Sequence, residues 1–319
     1  MTRTGTILRV PPFSQQLHDA VGASYDALDL PEEGRADFLT AHGSEVVAIV
    51  CSNSGRVDAD LIAALPNLAM IANQGVGYDN IDVPAALARG IAVSHTPDVL
   101  DAAVAETALG LLIATRRRFV AADRFIRDGH WADGSFPLTG QVSGSQVGVL
   151  GLGRIGRTIA GLLEALGCEV SYHSRHEVPG VPYAYHQTAV GLADAVDNLI
   201  VIVPGGPATA GLVDRPVLDA LGPDGVLVNV ARGSVVDEDA LLAALTDARL
   251  GAAGLDVFAD EPHVPKALVA LDNVVLLPHV GSATEETRAA MRTLTLDNLA
   301  AWLAGEPLLT PIPEMSRDQ

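Results

Sequence analysis

Positive charge is scarce in this chain: Lys and Arg number 20 against 39 Asp and Glu, a formal net charge of −19. Phosphate backbones bind basic surfaces, so nucleic acid is excluded as the expected partner. An anionic lipid surface is disfavoured for the same reason. An acidic chain that binds an anionic ligand must gather its few cations locally, which makes each Arg position informative. Cysteine is nearly absent. Cys51 and Cys168 lie in or beside the apolar runs VVAIVCS and ALGCEV, which predicts free buried thiols in a reducing compartment. Two isolated cysteines do not make a zinc site, and no metal is expected. No apolar run approaches the length of a membrane span. The opening MTRTGTILRV lacks the apolar core and small-residue cleavage site of a signal peptide. The expectation is a cytoplasmic protein without a membrane partner. Low-complexity segments and short repeats are also missing.

What is present is a large apolar fraction in a regular alternation. Hydrophobic residues make up 49% of the 319 and charged residues 18%. That composition is globular, and the length suits two domains of about 100–200 residues each. Short apolar runs alternate with amphipathic stretches, the pattern of βαβ units and parallel sheets. The first strand series reads TILRV (6–10), VVAIV (46–50), LAMIA (68–72) and IAVS (91–94), with helical patterns such as VDADLIAALP and VPAALARG between. A longer helix is expected over 102–118, capped by Asp101 and ending in Arg116, Arg117 and Arg118, whose charges suit a helix C-terminus. After an irregular segment at 128–144 the second series reads QVGVL (146–150), EVSY (169–172), LIVIV (199–203), VLVNV (226–230), GAAGLDV (251–257) and VVLLP (274–278). Helices are expected near 154–166, 188–196, 215–221 and 237–248, and a last long one over 285–303. The two series predict two α/β domains of similar architecture.

Residues 151–156 read Gly-Leu-Gly-Arg-Ile-Gly, directly after the strand QVGVL and at the start of the helix RTIAGLLEAL. That context is the one a dinucleotide loop requires. Gly151 permits the tight turn, Gly153 lets a pyrophosphate approach the backbone, and Gly156 lets helix and strand pack closely. Unpaired N–H groups and the dipole at the helix N-terminus favour the anion. NAD sites place an Asp or Glu about 20 residues on, at the ribose 2′-hydroxyl. From Val170 to His176 this chain reads VSYHSRH, with no acid. Arg175 can pair with a 2′-phosphate, Ser174 can donate a hydrogen bond to it, and His176 stands alongside. The expectation is NADP(H) in preference to NAD(H).

Three polar residues follow strands of the second series: Arg232 after VLVNV, Glu261 after GLDVFAD and His279 after VVLLP. Ligands of open parallel sheets bind at the carboxyl ends of strands, so the three can converge on one cleft. Arg232 can hold a substrate carboxylate and polarise its 2-keto oxygen. His279 can give that oxygen a proton as hydride arrives, and Glu261 can hold the ring and favour its protonated form.

At these residues the sequence resembles the D-isomer-specific 2-hydroxyacid dehydrogenases, over almost the whole chain. The matching stretches are NQGVGYDNID (73–82), VGVLGLGRIG (147–156), VNVARGSVVDEDAL (228–241), GLDVFADEP (254–262) and LPHVGSAT (277–284). The spacing of 18 from Glu261 to His279 resembles the glyoxylate/hydroxypyruvate reductase branch, and SNSG at Ser52 with FPLTGQVSG at Phe136 resembles its plant-type hydroxypyruvate and hydroxyphenylpyruvate reductases. The resemblance implies two Rossmann-like doubly wound parallel-sheet domains. Residues 1–97 and 286–319 would form a discontinuous, flavodoxin-like substrate domain, and 98–285 the dinucleotide domain. The active site would lie in a cleft that closes on binding.

The resemblance also implies site roles. Arg232 would anchor substrate and His279, oriented by Glu261, would donate the proton. Gly75, Val76 and Gly77 would bind the substrate carboxylate through N–H groups, with Ser52 beside it. Asp256 would contact the nicotinamide carboxamide. Val230 and Ala231 would line the cofactor, with Leu152, Arg154, Ile155, Val203, Pro204 and Gly281 on the same surface. The implied substrate is a small 2-keto or 2-hydroxy acid, and the implied assembly is a homodimer built largely on the dinucleotide domains. One departure is the loop VPGGPAT, where Gly206 stands at the usual Thr position, so that a hydrogen bond near the cofactor is expected to be lost.

The leading expectation is NADPH-dependent reduction of glyoxylate or hydroxypyruvate to the D-2-hydroxy acid. A reductase for bulkier acids such as phenylpyruvates is the alternative within the class. A corepressor-like nucleotide sensor is the alternative outside it, opposed by the intact Arg232, Glu261 and His279. Phosphoglycerate dehydrogenase is disfavoured because the acid expected for NAD is missing and the chain ends near 319 without room for an appended regulatory domain.

Overall fold

The computed structural model describes residues 4–316. Its contacts divide the chain into two compact units, one drawn from residues up to Leu100 together with those from Glu285 onward, the other from Asp101–Thr284.

The first unit runs β1 (Thr6–Val10), α1 (Gln15–Ser24), β2 (Ala27–Asp29), α2 (Arg35–His42), β3 (Val46–Ser52), α3 (Ala59–Ala64), β4 (Met70–Gln74), α4 (Val83–Ala88) and β5 (Ala92–Ser94). The strands form one parallel sheet in the order β2-β1-β3-β4-β5. This is the flavodoxin-like doubly wound order that the sequence leads one to expect. Successive residues of a strand face opposite sides. Accordingly Leu8, Ile49, Cys51 and Ile71 enter one apolar core while Ile7, Ala48, Val50 and Met70 enter another. Both faces are covered, so the strands read as continuous apolar runs rather than alternating ones. The C-terminal helix Glu285–Ala304 returns to this unit and packs Leu299 and Trp302 on the second face.

The second unit begins with α5 (Asp101–Arg116) and α6 (Phe119–Arg127). It continues with β6 (Gln146–Leu150), α7 (Arg154–Ala165), β7 (Glu169–His173), β8 (Ala184–Tyr185), α8 (Ala189–Asp194) and β9 (Asn198–Val201). Then come α9 (Arg215–Leu221), β10 (Val226–Asn229), α10 (Glu238–Thr246), β11 (Ala252–Leu255), α11 (Lys266–Val269) and β12 (Val274–Leu276), after which the C-terminal helix is α12. The sheet order is β12-β11-β10-β9-β6-β7-β8, parallel throughout. From β6 the chain winds outward first through β7 and β8, then crosses to β9 and winds the other way. The turn after β6 therefore opens at the point where strand order reverses, where such sheets bind their ligands.

Local chemistry explains most boundaries. The side chains of Asp58, Asp82, Thr188, Asp214 and Asp237 each accept a backbone N–H in the first turn of the helix that follows. One boundary differs from expectation. The long helix stops at Arg116 rather than 118, and Asp101 is its first residue rather than its cap. Arg118 takes the left-handed region at φ 52, which ends the run and starts α6 in a new direction.

Candidate active site

The turn after β6 fits a diphosphate. Gly151 has φ 109, and its N–H donates to His173 O at 2.8 Å. A Cβ on Gly156 would lie 2.1 Å from Gly151 O, so only glycine lets α7 start this close to the turn. Gly153 occupies the N-cap of α7 in extended conformation and supplies no side-chain acceptor, and no acid stands in the first turn. The leading N–H groups of α7 thus lack the carboxylate or hydroxyl that caps α3, α8, α9 and α10, which suits them to an external anion. Leu152 is buried beneath the turn. Ile155 is partly buried, and Arg154 Nε lies 3.9 Å from Asp101 Oδ2.

At the end of β7 the chain presents the groups expected for a 2′-phosphate. Arg175 is exposed, and no described residue pairs with its guanidinium. Ser174 donates its hydroxyl to His176 O at 2.7 Å, which folds the tip back on itself. His176 is exposed, while His173 Nδ1 lies 2.8 Å from His186 O. Val203 and Pro204 lie in the loop beyond β9. Gly206 there has φ 122, a conformation Thr rarely adopts. Thr209 instead closes this loop, donating its hydroxyl to Pro204 O at 2.6 Å.

Arg232, Glu261 and His279 follow β10, β11 and β12 in the same sheet. Glu261 Oε2 lies 2.6 Å from His279 Nδ1, and Glu261 Oε1 accepts from Phe258 N–H at 3.0 Å. Burial alone would push the Glu261 carboxyl upward. The His279 hydrogen bond, the Phe258 N–H and the charges of His279 and Arg232 outweigh it and hold the group below its ordinary value. An ionised carboxylate only accepts, so His279 carries its proton on Nδ1 and leaves Nε2 as the outer ring nitrogen.

Asp256 fixes the His279 turn. Its carbonyl accepts from His279 N–H at 2.8 Å, its Oδ1 from Val280 N–H at 2.7 Å and its Oδ2 from Gly281 N–H at 2.8 Å. His279 is held in the left-handed region at φ 54, a conformation uncommon outside glycine though one that His tolerates better than most. Burial raises the Asp256 carboxyl against the opposing pull of the two N–H groups. Asn229 does similar work at Arg232: its Oδ1 accepts from Ala231 N–H at 3.0 Å and its Nδ2 donates to Arg232 O at 3.0 Å. Arg232 Nη1 donates to Ala231 O at 2.8 Å. Val230 and Ala231 are buried beside it. Sequence reading did not foresee these two clamps, because Asn and Asp at strand ends carry no mark of the turn they will brace.

In the first unit Ser52 is buried and its hydroxyl donates to Pro12 O at 2.5 Å while accepting from Ser54 N–H at 3.2 Å. The Ser52 proton is therefore spent on the loop after β1. Gly75 is buried behind β4, and Val76 and Gly77 are partly exposed. Cys51 and Cys168 are both free and buried, and burial pushes the Cys51 thiol up to about 12.

Comparison with known proteins decides the family. Residues 109–281 match the D-isomer specific 2-hydroxyacid dehydrogenase, NAD binding domain. The chain is also 46% identical over 309 residues to a glyoxylate/hydroxypyruvate reductase A of Arabidopsis thaliana, covering 96% of this chain and 98% of that protein. The chain belongs to the D-isomer specific 2-hydroxyacid dehydrogenase family. Another member, a hydroxyphenylpyruvate reductase of Plectranthus scutellarioides, is 46% identical over 281 residues, 88% of this chain and 90% of that one. Among solved structures of the family, an NADPH-dependent glyoxylate/hydroxypyruvate reductase from Sinorhizobium meliloti in complex with NADP and malonate superposes with a TM-score of 0.92 at 46% identity, covering 98% of each chain.

Proposed function

We propose that this 2-hydroxyacid dehydrogenase reduces small 2-keto acids, glyoxylate or hydroxypyruvate, to D-2-hydroxy acids with NADPH preferred over NADH. The observation that carries the reading is the Glu261–His279 pair at 2.6 Å on a turn that Asp256 locks. Such a pair presents Nε2 as a proton donor of fixed direction. When bound at the turn after β6, the dinucleotide supplies hydride to the keto carbon. The rest is the work of side chains and N–H groups of this chain. Arg232 binds the substrate carboxylate and polarises the keto oxygen, and His279 delivers the proton to that oxygen. Glu261 holds the ring. The N–H groups of Val76 and Gly77 take the carboxylate.

Residues 98–285 serve as the dinucleotide domain, and residues 1–97 with 286–319 as the substrate domain. Gly151, Leu152, Gly153, Arg154, Ile155 and Gly156 cradle the diphosphate. Ser174, Arg175 and His176 take the 2′-phosphate, Val203, Pro204, Val230 and Ala231 line the cofactor, and Asp256 and Gly281 border the nicotinamide. The S. meliloti reductase, 46% identical, carries NADP, which supports the cofactor choice. The relatives named glyoxylate/hydroxypyruvate reductases support the substrate class. The protein works in the cytoplasm as a homodimer. The apolar side chains Phe119, Val120, Ile126, Trp131 and Leu138, all exposed within one stretch of the dinucleotide domain, support the dimer.

The test is steady-state kinetics across glyoxylate, hydroxypyruvate and hydroxyphenylpyruvate with both cofactors, on wild type and Arg175→Ala. The expected result is highest kcat/KM with NADPH and a small acid. Arg175→Ala should raise KM for NADPH about tenfold or more while leaving KM for NADH nearly unchanged, since a charge-assisted contact is lost. Equal efficiency with both cofactors in wild type would remove the cofactor preference. A clear advantage for hydroxyphenylpyruvate would move the substrate assignment to the Plectranthus relative's class.

A further inference from the structure

The loop after β4 is held by its carbonyl groups. Gly75 O accepts from Thr96 N–H at 2.9 Å and from Asn73 Nδ2 at 3.3 Å. The same Asn73 amide donates to Gly77 O at 2.9 Å. Between them, Val76 O lies 3.1 Å from His95 Nδ1. A carbonyl only accepts, so His95 Nδ1 carries the proton here. In a planar trans peptide the N–H points away from its own C=O. Drawing the carbonyls of Gly75 and Val76 toward the adjacent residues Thr96 and His95 therefore turns the N–H groups of Val76 and Gly77 the other way. No described residue accepts from either of them. Successive N–H groups presented together form an anion-binding concavity.

The two peptides of this loop are not equally secure. Turning over the Gly75–Val76 peptide would force Val76, a β-branched residue, toward positive φ, which is strongly disfavoured. Turning over the Val76–Gly77 peptide changes φ at Gly77, and glycine accepts either sign. That turn would replace an N–H by a carbonyl oxygen at the anion site. His95 is the group that holds this one free peptide. The residue is itself fixed: His95 is 7% exposed, its backbone N–H donates to Thr310 O at 3.1 Å, and its backbone carbonyl accepts from Thr310 Oγ1 at 2.6 Å. Tyr78 packs on it edge to face at 5.5 Å.

We propose that His95 is a positioning residue of the substrate site, whose Nδ1–H holds Val76 O and so keeps the Gly77 N–H turned toward the carboxylate of a 2-keto acid. The inference rests on the reading of Gly75, Val76 and Gly77 as the carboxylate loop. His95→Asn keeps an amide N–H at similar reach but loses the ring, whereas His95→Phe keeps the ring against Tyr78 and loses the donor. With NADPH saturating, His95→Phe should raise KM for glyoxylate at least about tenfold, with kcat and the NADPH dissociation constant within about threefold of wild type. It should weaken oxalate, an unreactive carboxylate, by the same factor in calorimetry on the NADP-loaded protein. His95→Asn should stay within about threefold of wild type in both measurements. His95→Leu serves as the donorless variant if the Phe protein does not fold. A donorless variant with wild-type KM and oxalate affinity overturns the proposal, and so does His95→Asn as impaired as His95→Phe, which would make ring packing the cause. If wild type turns over no 2-keto acid and binds no oxalate, the carboxylate loop itself falls and the proposal falls with it.

Discussion

A carboxylate that accepts from two partners has few orientations left, and Glu261 is in that position between His279 and Phe258. The imidazole it holds is aimed by a backbone that Asp256 keeps at positive φ. His279→Ala should lower kcat by about 10²–10⁴-fold, the usual scale of general acid catalysis, while NADPH binding followed by fluorescence titration stays near wild type. Wild-type turnover in that variant would take His279 out of the mechanism. The same change has a consequence for acid stability. Because Glu261 sits below its ordinary value when folded, its pairing stabilises the protein above the usual glutamate range, and that contribution is lost as pH falls through the depressed value. Without His279 the depression lessens, so the acid unfolding midpoint followed by circular dichroism should move to slightly higher pH. Each of these residues was legible as a type at a strand end. That Glu261 holds the His279 ring was also expected, although the two are 18 positions apart; the 2.6 Å distance and the choice of Nδ1 were set only by the pairing of their adjacent strands.

At the scale of the element, the turn between β6 and α7 separates two roles of glycine that the motif alone cannot. A Cβ on Gly156 would strike Gly151 O, whereas nothing lies within 4 Å of a Cβ on Gly153. Gly156→Ala should therefore cost about 1–3 kcal/mol of stability, read as a lower urea midpoint, through overpacking of helix against turn. Gly153→Ala should leave that midpoint close to wild type and weaken NADPH, because its side chain would stand where the diphosphate approaches. An unchanged midpoint for Gly156→Ala would show that α7 can shift outward freely. Most elements were readable for a simple reason: buried parallel strands are uninterrupted apolar runs, and an Asp or Thr marks the start of several helices. The strands β2 and β8 escaped because ALD and AY are short and only partly buried. Helix α6 was not separated from the long helix before it, because the run of Arg116, Arg117 and Arg118 reads as a helix end and the break at Arg118 is a backbone feature, its left-handed φ.

At the scale of the molecule, that helix is the clearest unfinished surface. None of its residues is buried; Ile126 within it is 57% exposed and Trp131 just beyond it 68%. A chain of net charge −19 has no electrostatic reason to self-associate. Association must then come from apolar burial, and residues 119–138 are where such side chains are concentrated. The double variant Ile126→Asp and Leu138→Asp should shift the mass seen by light scattering from dimer to monomer at micromolar concentration, with the far-UV spectrum unchanged. A mass that stays at the dimer value would place the interface elsewhere.

Much of this was determined along the chain itself. Apolar runs, the glycine turn, the missing acid at the end of β7 and the positions of Arg232, Glu261 and His279 are local features, and local physics reads them. Strand order, parallel pairing and the return of α12 decided what those residues touch. Asp256 with Gly281, Glu261 with His279 and His95 with Val76 are joined by hydrogen bonds between chain-distant groups, and such bonds exist only once the crossovers have set neighbouring strand ends side by side.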